Sequence, residues 1–162
     1  ERLVAAHEPA VVVVFSGTND IAPPQPKSAT EVRDLFLEFV ARVRWFQPEV
    51  PICYLAISPT PARQQHLDIV LATNRLIAAE CQEGDRLTFI DTASQLLDRD
   101  GQPDSRWFVK DQLHLNADGY AAWTRKIHPV VTSIYSATRP ETEAVTPQAT
   151  TTAIQHPKEG HP

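Results

Sequence analysis

From residue 11 the chain reads Val-Val-Val-Val-Phe, with no alternation between apolar and polar positions, and then turns to Ser16, Gly17, Thr18, Asn19 and Asp20. A strand without alternation is covered on both faces, the habit of a parallel sheet flanked by helices. The period then changes. Val32, Leu35, Phe36, Phe39, Val40 and Val43 recur at helical spacing behind Ser28 and Glu31, whose types and three-residue separation make a capping box. A helix is predicted to about Phe46, ended by Pro48 and Pro51. The stretch ICYLAIS, 52–58, predicts a second buried strand, and PTPAR, 59–63, turns it into a helix with Leu67, Val70, Leu71, Ile77 and Ala78 on one face. RLTFID, 86–91, predicts a third strand, followed by a helical turn around 93–97. A loop follows with turn signals at Asp100-Gly101 and Pro103-Asp104. Asn116 is placed to cap the last helix and Asp118 to complement its dipole, while Pro129 predicts a kink or break after His128. Residues 1–7 read as the final turns of a preceding helix.

Alternating strands and helices imply a parallel sheet between helical layers, a three-layer α/β/α sandwich of flavodoxin-like type. Three strands are too few to cover the apolar first one, so Val11–Phe15 would lie at an open edge, a position natural sheets protect. N-terminal strands are expected to be missing on that side, and the isolated chain is expected to self-associate there. From Ala137 onward the chain turns to Thr, Pro, Gln, Glu and His and cannot bury enough to offset ordering. The expected organisation is a folded part over 1–136 and a disordered tail over 137–162.

Composition narrows the chemistry. Of 162 residues, 42% are apolar and 22% charged, with a net charge of -5, as in a single globular domain. No basic cluster suggests a nucleic-acid partner, and no apolar run is long enough for a membrane span. Cys53 and Cys81 have neither metal-ligand nor redox spacing and read as two buried thiols. His7, His156 and His161 form no ligand set, and His66 and His128 read as surface or capping residues, so neither a metal nor a cofactor is expected. The chain has no Met and begins Glu1-Arg2-Leu3, which suggests a fragment and leaves localisation open.

Ligands of open α/β sheets bind beyond the carboxyl ends of the strands, where Asn19 and the stretch DQLHLN, 111–116, both fall. Asp111 can accept from the Nδ1 of His114 and leave Nε2 facing a substrate, the orienter and base of a hydrolytic triad. The plainer alternative is a helix start in which both only cap. Asn19 can donate to an oxyanion or close an Asx turn. Ser16 and Ser58 are the serines near strand ends. Ser16 is set at the end of the buried strand and Ser58 in a loop lining the cleft, neither well placed as a nucleophile. Trp107 and Phe108 either wall a substrate pocket or cover the core.

Gly17-Thr18-Asn19-Asp20 after an apolar strand, with Asp111, His114, Leu115 and Asn116 opening the last helix, resembles the SGNH (GDSL-type) hydrolase family, over roughly residues 8–135. Ser58-Pro59-Thr60-Pro61 and the stretch NRLIAAE, 74–80, are also similar to bacterial members. Of the four family blocks, the chain matches the Gly-x-Asn-Asp and Asp-x-x-His blocks and lacks the Gly-Asp-Ser nucleophile block and the second-block Gly. The resemblance implies Asn19 as oxyanion amide, His114 as general base, Asp111 as its orienter, Gly17 as the turn residue and Asp20 as a loop-fixing residue. It implies a serine esterase acting on a small ester or acetyl group through an acyl-enzyme, here the inactive C-terminal two-thirds. The alternatives are a binding module with the same cleft, or a structural α/β domain.

Overall fold

The computed structural model describes residues 4, 6–22 and 24–138. Three short strands, β1 (Val12–Val14), β2 (Ile52–Leu55) and β3 (Leu87–Ile90), form a parallel sheet in the order β1-β2-β3. Val12 pairs with Ile52 and Ile52 in turn with Leu87, so the three strands end together at one edge. The helices are α1 (Ala29–Phe46), α2 (Leu67–Glu83) and α3 (Ala117–Thr138), with a 3-10 segment, Pro61–His66, leading into α2.

The pleat of β2 explains the layering. Ile52 and Tyr54 face a core built with Val32, Phe36 and Val43 of α1 and Val70 and Ile77 of α2. Cys53 and Leu55 face the opposite way, against Trp123, Ile127, Val130 and Ile134 of α3. Successive side chains point to opposite faces of a strand, so a helical layer on each side leaves β2 buried throughout. The two cysteines are free and buried, and burial pushes both thiols up, that of Cys81 to about 11.

Local chemistry sets the helix ends. The Ser28 hydroxyl accepts from the Glu31 N–H while the Glu31 carboxylate accepts from the Ser28 N–H, the capping box expected from their spacing. Asn116 Oδ1 accepts from the Gly119 N–H at the start of α3, and its Nδ2 donates to the Arg106 carbonyl. Gly119 is required there, since a Cβ would lie 2.5 Å from the Trp107 carbonyl oxygen.

β1 is the edge of the described sheet, the open position expected of it; α3 reaches Val11, and Val13 and Phe15 are 43% and 45% exposed. Four expectations need correction. Leu35 faces solvent, because Val32, Phe36 and Val43 take the face of α1 that meets the sheet. Among residues 1–7, the described Val4, Ala6 and His7 form turns rather than a helix, and Glu8 at φ 43° redirects the chain into β1. Pro129 does not interrupt α3. It lies with Arg125 on the solvent side, where water can take up the carbonyl its ring leaves unbonded, while Ile127, Val130, Val131 and Ile134 hold the other face to the sheet. Finally, α3 includes Ala137 and Thr138, so the expected boundary at 136 falls inside a helix; the remainder of the expected tail, 139–162, lies outside the described residues. No helix among the described residues is long and apolar enough to cross a membrane.

Candidate active site

Two loops meet beyond the carboxyl ends of the strands. The first leaves β1 through Gly17, whose φ of 98° suits glycine. Its Cβ position lies 2.6 Å from the Ile57 side chain, so a larger residue would also clash. The Gly17 carbonyl accepts from the N–H groups of Asp20 and Ile21, folding residues 17–21 into a tight turn. Asp20 closes that turn toward α1: its carboxylate pairs with the Lys27 ammonium at 2.8 Å, and its carbonyl accepts from the Lys27 N–H. The Tyr54 hydroxyl donates to the Ser16 carbonyl, fastening the end of β1 to the buried β2. The turn exposes Asn19.

The second loop precedes α3. Gln112 takes a left-handed φ of 59°, which bends the chain so that both N–H groups of Leu113 and His114 donate to Asp111 Oδ1, at 2.8 and 2.9 Å. Asp111 Oδ2 lies 2.7 Å from His114 Nδ1. With the carboxylate engaged on both oxygens, Nδ1 carries the proton and Nε2 is the nitrogen left for other chemistry.

The same contacts act on the acid. The side-chain hydrogen bond from His114, then the backbone N–H groups of His114 and Leu113, hold the Asp111 carboxyl at about 2, below its ordinary 3.8. A carboxyl lowered in the folded state stabilises at pH values above its unfolded value, and the contribution is lost as pH falls through the folded one. Carboxyl-carbon NMR should therefore place the Asp111 midpoint near pH 2, with the dyad intact at neutral pH. A midpoint at an ordinary value of about 4 would mean that the carboxylate is not held.

Asn19 and His114 share a cleft of about 390 Å³, with Ser58 and Thr60 from the β2 loop, Arg63, and an apolar side that includes Phe15, Tyr120 and Trp123. Phe15 and Trp123 meet edge to face at 4.9 Å between ring centroids. Ser58 is among the cleft residues, and its hydroxyl is buried and has no partner among the described residues. Ser16 is exposed and does not line the cleft. No described serine hydroxyl is hydrogen-bonded to His114. Trp107 and Phe108 do not wall the cleft either; they pack with Leu96 and Leu115, and the Phe108 bridge to Leu115 turns both rings toward the core. Their expected place is taken by Phe15, Tyr120 and Trp123. Arg63 was also not anticipated. Its one signal is an arginine in the Pro-rich stretch after a buried strand, at the sheet edge that carries Asn19.

The family model for GDSL-like lipase/acylhydrolase matches residues 1–122. The chain belongs to that family. No curated protein matches the sequence. Among solved structures it is similar to a carbohydrate esterase family 3 protein from Talaromyces cellulolyticus, with a TM-score of 0.70 at 19% identity, covering 83% of this chain and 62% of that one. It is similar to an acetyl esterase mutant with acetate ion, with a TM-score of 0.71 at 18% identity over 84% and 63% of the two chains. A GDSL-like lipase from Bacteroides thetaiotaomicron gives a TM-score of 0.62 at 17% identity over 80% and 64%. At such identities the likeness fixes the fold, that of GDSL hydrolases, and the chain spans less than two thirds of each of these structures.

Proposed function

We propose that this GDSL-family chain carries the base, the orienter and an oxyanion donor of a serine esterase that hydrolyses small esters or acetyl groups through an acyl-enzyme. The observation that carries the reading is the 2.7 Å contact between Asp111 Oδ2 and His114 Nδ1 at the mouth of a cleft that also holds Asn19. His114 Nε2 accepts the proton of a serine hydroxyl as the hydroxyl oxygen attacks the ester carbonyl carbon. The carbonyl electron pair moves onto oxygen, where the Asn19 Nδ2–H donates to the developing charge. Collapse of the tetrahedral intermediate expels the alcohol, which takes the proton from His114; water then gives a proton to His114 as it attacks the acyl carbon, and the serine oxygen leaves with that proton, releasing the acid.

No described serine hydroxyl is paired with His114, and this reading takes the nucleophile from sequence outside the 162 residues. The other reading, a binding module, is favoured by that same lack of a serine paired with His114. A chromogenic acetate ester separates them. The chain extended by its upstream coding sequence should hydrolyse it with burst kinetics and be silenced by a serine-directed phosphonate, whereas the 162-residue chain should not exceed its His114→Ala variant. Absence of turnover in the extended protein would leave the binding module.

The exposed β1 edge bears on the isolated chain. Val13 and Phe15 stand open beside strand backbone that has no partner on one side among the described residues. Such edges recruit further strands. Sedimentation of the isolated chain should show concentration-dependent association, and a monodisperse monomer would refute it.

A further inference from the structure

Arg63 occupies a place that the reaction as proposed leaves unassigned. It lies within the 3-10 segment Pro61–His66, yet its own backbone, at φ -126° and ψ 29°, departs from helical geometry. From that kink the guanidinium reaches the turn after β1. Nη1 donates to the Thr18 carbonyl at 2.6 Å, and Nη2 donates to Asn19 Oδ1 at 3.1 Å. The segment itself is anchored at both sides, by the Arg63 N–H on the Thr60 carbonyl and the Ala62 N–H on the Gln112 carbonyl. The second of these bonds ties it to the loop of Asp111 and His114.

A guanidinium has donors only, so the Asn19 oxygen has to be the atom that meets it, whichever way the amide is first drawn. The Nδ2–H pair is then turned away from Arg63. A free asparagine amide rotates and presents oxygen or nitrogen alike, and an oxygen facing an oxyanion would repel it.

We infer that Arg63 is a positioning residue, which locks the Asn19 amide with its nitrogen toward the cleft and so sets up the site for the oxyanion or the carboxylate product of ester hydrolysis. The inference rests on the oxyanion reading of Asn19. Planarity matters as well as charge, because two donors of one rigid fork hold two oxygens of one turn at once. A lysine ammonium would keep the charge and hold one of them.

The test needs no turnover. The ¹⁵N-labelled chain is titrated with sodium acetate at constant ionic strength, and the side-chain amide signals of Asn19 are followed with the His114 ring signals. Acetate should shift both in the wild type. Arg63→Gln should weaken the apparent acetate affinity about tenfold, the loss of one good hydrogen bond, and Arg63→Lys should recover part of it. Backbone signals away from the turn report that each variant is folded. If Arg63 merely staples the loop, its loss will move the Thr18 backbone amide and leave the acetate response unchanged, which overturns the inference while Asn19 keeps its assigned part. If acetate shifts neither Asn19 nor His114 in the wild type, the oxyanion reading falls and the inference with it.

Discussion

His114→Ala in the upstream-extended protein, if it is the esterase proposed above, should lower kcat by about 10⁴-fold or more, with KM little changed, because base and nucleophile act as a unit. Asp111→Asn should come close to that loss. The Asp111 carboxylate accepts from Nδ1 and from two backbone N–H groups, so an amide there presents a donor where only acceptors fit and favours the wrong ring tautomer. Asn19→Ala should cost about 10²- to 10³-fold, as removal of one oxyanion donor does. Steady-state kinetics on a chromogenic acetate ester check all three, and the double variant of Asp111 and His114 should be no worse than His114→Ala alone. Near-normal kcat in His114→Ala would remove the dyad from the mechanism.

Asn74→Ala should have the largest effect on stability, about 2–5 kcal/mol, the cost of leaving two buried backbone groups unpaired. The Asn74 side chain lies in the interior of α2 at 8% exposure, with Oδ1 accepting from the Ile57 N–H at 2.8 Å and Nδ2 donating to the Ile57 carbonyl at 2.9 Å. It replaces a neighbouring strand just where β2 runs out of ladder, and it fixes the path into Ser58 and Thr60 at the cleft. A small domain is stable by only about 5–15 kcal/mol, so the loss is a large share of the whole. Urea unfolding measures it. Asn74→Asp should be damaged too, since the carboxylate keeps the acceptor, loses the donor and adds a buried charge. A cost under about 1 kcal/mol in Asn74→Ala would show that Ile57 finds other partners or water.

Much of the fold was legible in the chain because its signals are local. The spacing of Val32, Phe36 and Val43, the Ser28 and Glu31 box, the cap at Asn116 and the strand-like runs each act within a few residues, and each element formed where its pattern lies. Asp111 and His114 are three residues apart, so their contact could also be foreseen. Asn74 shows the limit. It shares a helical face with Val70 and Ile77, yet nothing near it in sequence says that its amide will pair with Ile57 across the domain.

What the sequence by itself determined is therefore the set of elements, their parallel order, and the sheet edge to which Gly17, Asn19, Asp111 and His114 are delivered. Only the tertiary structure decided which residues meet across that edge. It set Arg63 against Asn19, put Phe15, Tyr120 and Trp123 in the cleft in place of Trp107 and Phe108, and carried α3 through Pro129. The physical reason is range. Period, caps and turn residues act through bonds and neighbours a few positions apart, whereas burial and long-range hydrogen bonds depend on where the packed layers bring distant segments together.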